Sequence, residues 1–253
     1  MVQYDLLNSE EYPHPEEDQP LSRHRQEPGR VPWSPIDVFI IIALVLAGNF
    51  VVFGLIESFI YTVTTQTIKQ PVPTLVFLVL QWVVSLGIAF GYLRLRRFHF
   101  SLSVLGFRRT PVIRAALMVI AVLIITDIGS VIYEQFVTPH QQQAIQIIQP
   151  SLFSLFMSIL QIGIIAPVCE ETFFRGIIHQ GLESRLGFFP AAVLSASIFA
   201  TAHFQLDIFV IIFLLGFGFA YLIHRTHSLW PSISGHMIYN LLTVIAVYTS
   251  LSK

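Results

Sequence analysis

From Pro35 onward the chain is almost entirely a succession of apolar runs, at about 36–61, 73–93, 112–133, 151–182, 188–204, 207–224 and 229–249. A helix needs about 20 mostly apolar residues to cross ~30 Å of hydrocarbon. Lipid offers no partner for an open backbone N–H or C=O, so such runs are expected as helices. The fold expected is therefore an all-α, multi-pass transmembrane bundle of about seven spans, or eight if the long fourth run splits. Pro167 lies within that run and is expected to bend it, because proline withholds a backbone donor. Composition agrees: of 253 residues, 54% are hydrophobic and 11% charged, against about 25% charged in a soluble domain. No repeat or internal duplication is visible, which counts against transporters built from paired repeats.

Charge is concentrated at the start. Residues 1–35 hold Asp5, Glu10, Glu11, Glu16, Glu17, Asp18 and Glu27 among six prolines. Such a stretch buries little apolar surface and is expected to be a disordered, solvated tail preceding a transmembrane domain at 36–253. With the N-terminus inside, the inner segments collect twelve arginines, from Arg23 through Arg94, Arg96 and Arg97 to Arg225, while the outer segments keep Lys69 and Lys253. Positive residues favour the cytoplasm, so the N-terminus is expected there. A net charge of −1 gives no basic footprint and argues against a nucleic-acid partner.

A charge within a span costs at least ~2.5–3.5 kcal/mol on insertion scales, yet the fourth run carries Glu170, Glu171 and Arg175 within six positions. Glu171 and Arg175 are i and i+4 and can pair on one face; Glu170 is turned about 100° away. Either this is an ion pair with a spare carboxylate at the interface, or the pair holds the helix while Glu170 faces a wet cavity. The fifth run ends Phe199-Ala-Thr-Ala-His203, and the seventh carries His236 and Asn240, again at i and i+4. Taken singly, each is open to a bland reading as interfacial residue or interhelical glue. Together they make a hydrolytic set. Glu170 can act as general base, His203 can help hold and activate a water, and His236 with Asn240 can donate to an oxyanion. Counting ~1.5 Å per residue from the turns sets Glu170 and His203 both ~20 Å deep but His236 only ~10 Å deep. Tilt, the Pro167 bend or a raised 225–231 loop is needed to close that gap. Elsewhere, Cys169 is expected to be a buried structural thiol, since acidic neighbours do not activate it. Glu57 and Asp127 are expected at interfaces or in helix packing, His179 at the inner surface, and His224 and His227 in loops.

Glu170-Glu171-x-x-x-Arg175, Phe199-x-x-x-His203 and His236-x-x-x-Asn240 resemble, in order and spacing, the three motifs of the CPBP (CAAX protease and bacteriocin-processing, or Abi) intramembrane endopeptidases, which include the type II CAAX prenyl endopeptidases. The likeness covers about residues 150–245. It implies an intramembrane endopeptidase with its site toward the cytoplasmic face, in which Glu170 and His203 activate water, His236 and Asn240 form the oxyanion hole, and Glu171 and Arg175 support them. Both metal-dependent and metal-independent chemistry have been described for this family. If zinc is bound, Glu170, His203 and His236 are the ligands; metal-independent action is favoured, since Glu170 cannot readily be both ligand and sole base. The partners implied are the bilayer and a peptide or membrane-protein substrate, lipidated or not, and the short loops suit a bacterial inner membrane. The competing readings are a non-catalytic immunity or scaffold protein and a proton-relaying transporter.

Overall fold

The computed structural model describes residues 31–64, 71–98, 101–138 and 148–251. Every apolar run is helical there: α1 (Pro35–Thr64), α2 (Pro71–Leu95), α3 (Val112–Glu134), α4 (Leu152–Leu186), α5 (Phe188–Thr201), α6 (Phe209–Thr226) and α7 (Trp230–Leu251). Five of them, α1, α2, α3, α4 and α6, are long and apolar enough to cross a membrane. α5, at 14 residues, reaches only ~21 Å and is held inside the bundle, with Ala191, Ala192, Ala196 and Phe199 buried. The fourth run does not split. α4 is a single 35-residue helix with two π-helical stretches, Ile159–Ile165 and Glu171–His179. The bend expected at Pro167 takes the form of the first of these, a widened turn just before the proline.

The start of α1 is capped by Ser34 and Asp37. Ser34 N–H donates to Asp37 Oδ2 at 2.9 Å, and Asp37 N–H reaches back to Ser34 Oγ at 3.4 Å. Tyr92 of α2 donates to the same carboxylate at 2.8 Å and Arg96 pairs with it at 3.3 Å, tying α1 to its antiparallel neighbour. Two residues of the stretch 1–35, expected as a solvated tail, are buried instead. Val31 is 5% exposed and Trp33 fully buried, and Trp33 Nε1–H donates to the Ile177 carbonyl of α4 at 2.9 Å. Residues 1–30 lie outside the described residues, as does the side chain of Glu57.

Close approaches at glycine let α5 and α6 flank α4. A methyl group on Gly216 would stand 3.1 Å from the Phe199 ring and 3.2 Å from Ala196. One end of the bundle gathers exposed Arg94, Arg96, Arg97, Arg109, Arg114, Arg185 and Arg225, and the loop 101–111 packs inward from it. Leu105 is buried, and its carbonyl accepts from Gln180 Nε2 at 2.9 Å. Leu229 N–H donates to the Gly106 carbonyl at 2.7 Å, and Ser228 Oγ–H to that of Arg108 at 2.7 Å. Gly106 adopts φ +105°, a conformation that side chains disfavour.

Candidate active site

The second widened stretch of α4 carries the acidic motif. Glu171 is fully buried, and its Oε1 accepts from His236 Nδ1 of α7 at 3.0 Å and forms an ion pair with Arg175 Nη1 at 3.0 Å. Arg175, also fully buried, donates through Nη2 to the Gly216 carbonyl at 3.1 Å. Its guanidinium lies over Phe199 (4.2 Å) and Phe219 (5.4 Å), where ring faces supplement the carboxylate as partners for a desolvated cation. Glu171 Oε2, Arg175 Nε and Arg175 Nη1 have no hydrogen-bond partner.

Glu170 sits on the next face, as expected from the 100° rotation. Its carboxylate is 17% exposed, with Oε2 at 3.8 Å from His236 Nε2, beyond a hydrogen bond. The His236 ring therefore lies between the two glutamates. It stacks on Phe219 at 5.2 Å and meets the edge of Phe199 at 5.9 Å.

The raised loop brings His236 toward the depth of the glutamates. A methyl on Gly176 would stand 3.4 Å from Leu229 Cδ1 and 3.2 Å from the Leu105 carbonyl. The α6–α7 turn thus sits at the level of Gly176, propped on the loop 101–111, and His236, seven residues above Leu229, comes level with the glutamates. His203 follows from Phe199, whose ring packs on Phe174 at 5.0 Å. The His203 ring meets that of Phe199 edge-on at 4.9 Å. His203 Nδ1 bonds the Phe199 carbonyl at 2.9 Å. A carbonyl only accepts, so Nδ1 carries the hydrogen and, in the neutral ring, Nε2 keeps its lone pair. Ala200, Thr201, Phe204, Gln205, Leu206 and Phe209 line a cavity of about 260 Å³ beside it. Asn240, one turn beyond His236, donates to the Ile162 carbonyl of α4 at 2.9 Å. Glu170, Glu171, Arg175 and His236 are thus in direct proximity, whereas His203 and Asn240 reach the cluster through Phe199 and through the backbone of α4. Among the described residues, no group of three His, Cys, Asp or Glu is disposed to hold a metal ion.

Two features escape sequence reasoning. One is the Glu171–His236 bond. The other is a second polar cluster at the basic end. His179 is fully buried, not at the inner surface, with Nε2 at 3.2 Å from Glu183 Oε2. His224 lies in the last turn of α6, not in a loop, bonds the other Glu183 oxygen and stacks on Phe188 at 4.3 Å. The spacing His179-x-x-x-Glu183 is the available signal. Cys169 is a free, partly buried thiol, and Asp127 is exposed.

Residues 151–242, which contain all three motifs, match the family model "Type II CAAX prenyl endopeptidase Rce1-like". This segment is thus similar to the CAAX protease family. A curated relative, named "Putative membrane peptidase YdiL", from Bacillus subtilis, is 32% identical over 117 residues, which is 46% of this chain and 48% of the relative. The chain thus spans about half the length of the curated relative it matches. No solved structure matches.

Proposed function

We propose that the protein is a membrane-embedded endopeptidase that hydrolyses a peptide bond near the cytoplasmic face of a bacterial membrane. The observation that carries this reading is His236 held between Glu171 and Glu170, with one carboxylate fully buried and the other partly exposed. A purely structural ion pair has no use for the second carboxylate.

In the proposed reaction Glu170 takes a proton from a water held with the help of His203 Nε2, and the water oxygen bonds to the substrate carbonyl carbon. The resulting oxyanion lies against His236 Nε2–H and the second N–H of Asn240. Glu170 then returns its proton to the amide nitrogen as the C–N bond breaks, leaving a free amine and a carboxylate. The role of His236 fixes its charge. Glu171, a carboxylate, only accepts, so Nδ1 must donate to it; an N–H at Nε2 as well makes the ring an imidazolium. Two carboxylates then face two cations, Arg175 and His236, which is the balance a low-dielectric site needs. Glu171 is a positioning residue here, much as a buried aspartate orients histidine in a serine protease.

The substrate proposed is a peptide or membrane protein, lipidated or not, and no step is routed through a metal. Glu170→Gln should lower cleavage about 10²–10⁴-fold, the range for a lost general base, with unchanged insertion. Comparing the proteomes of cells carrying the native and the Glu170→Gln proteins tests this; a biological activity left intact by Glu170→Gln would favour a non-catalytic scaffold or immunity role. Activity should also survive stringent chelation, and loss with zinc-specific rescue would contradict the metal-independent mechanism.

A further inference from the structure

The first widened stretch of α4 ends against a proline, and the consequence falls on Asn240. In that stretch backbone donors reach back five residues: Ala166 N–H bonds the Gln161 carbonyl. The next donor in the same register would run from residue 167 to the Ile162 carbonyl, and Pro167 has no N–H to give. A buried carbonyl left without a donor is costly. The donor that fills this place comes from another helix, 78 residues along: Asn240 Nδ2 of α7, at 2.9 Å. The adjacent Gly163 allows the approach. A methyl there would stand 2.5 Å from Leu241 Cδ2 and 3.1 Å from its Cγ, so a side chain at 163 would have to displace the Leu241 side chain of α7.

We propose that Asn240 is a positioning residue: it supplies from α7 the hydrogen bond that Pro167 withholds from Ile162, and so fixes the widened turn that aims Glu170 and Glu171 three and four residues beyond the proline. An asparagine side chain has two N–H groups, so this role takes one and leaves the other for substrate. The effect on catalysis rests on the protease reading above; the lock itself is a property of the backbone and is tested apart from it.

The test is a double-mutant cycle on the full chain purified in detergent. Pro167→Ala gives residue 167 a donor of its own. Asn240→Leu should lower the thermal midpoint by about 2–4 °C, the shift expected for one hydrogen bond in a chain of this size, and by less than half as much in the Pro167→Ala background. Equal losses in both backgrounds would overturn the proposal. A second readout needs no proline variant. With 1-¹³C-isoleucine and ¹⁵N-glycine, only Ile128–Gly129 and Ile162–Gly163 join a labelled carbonyl to a labelled nitrogen. Asn240→Leu should move the Ile162 carbonyl resonance upfield and leave Ile128 as an unmoved reference; an unmoved Ile162 would refute the lock. On a cleavable peptide, Asn240→Leu removes the oxyanion donor together with the lock, so kcat should fall by more than the about 10²-fold expected for groups misplaced by ~1 Å, and Pro167→Ala should restore the lock's share, about 10²-fold, and not the donor's. A rescued midpoint without any rescued kcat would overturn the positioning role while leaving the protease reading in place.

Discussion

Glu171 is the residue on which the cluster turns, because one of its oxygens joins the helix's own arginine to a histidine from another helix. The i, i+4 pairing of Glu171 with Arg175 is legible in the sequence because helix geometry alone dictates it. The histidine is not, since the bond closes across 65 residues and depends on where the α6–α7 turn comes to rest. Breaking a buried pair from one side leaves an uncompensated charge, at a cost of about 3–5 kcal/mol. Arg175→Leu alone should therefore depress the thermal midpoint in detergent more than the double replacement Glu171→Leu/Arg175→Leu. The reverse order would mean that Arg175 is held mainly by Phe199, Phe219 and the Gly216 carbonyl. Cys169, beside this machinery, stays outside it, and Cys169→Ala should leave cleavage within a fewfold of native in a rate assay.

At the scale of elements, α4 organises the site because it departs twice from regular geometry. Its widened turns present carbonyls that neighbours take up: Ile162 by Asn240, Phe174 by Ser195 at 3.3 Å and Ile177 by Trp33 at 2.9 Å. Apolar run lengths place a helix at about 151–182, and Pro167 marks a disturbance, but propensity carries no signal for a π turn at 171–179. The burial of Val31 and Trp33 escapes the sequence for a related reason. Val31 and Trp33 sit in a proline-rich stretch whose composition reads as solvated, while a specific pocket over Gly181 captures them. A methyl on Gly181 would stand 2.6 Å from the Trp33 ring. Gly181→Ala should thus displace Trp33 and destabilise the fold by about 1–3 kcal/mol, as overpacking does. A red shift in tryptophan emission, absent in a Trp33→Phe background, would report it.

The whole molecule is a bundle with one arginine-rich end and a polar centre reached by three separate helices. Number of helices, order of motifs and charge asymmetry follow from the linear chain, because bilayer thickness and backbone satisfaction leave few alternatives. Depth relative to one another did not follow, as the inward-folded loop 101–111 raises α7 by an amount no residue count predicts. The arginine asymmetry predicts that this loop faces the cytoplasm. In a Cys169→Ala background, a cysteine at exposed Ser101 should resist a membrane-impermeant thiol reagent applied to intact cells, whereas one at Ser151, at the opposite end, should react; the reverse pattern would invert the topology. The central claim, that a carboxylate-activated water attacks the peptide bond directly, is open to isotope labelling. A cleaved peptide identified by the proteome comparison is turned over once by excess purified protein in ¹⁸O-water. The mechanism predicts a single ¹⁸O in the new C-terminal carboxylate and none in Glu170. An unlabelled product, with ¹⁸O appearing instead on a glutamate of the enzyme, would replace the activated water with a covalent acyl intermediate.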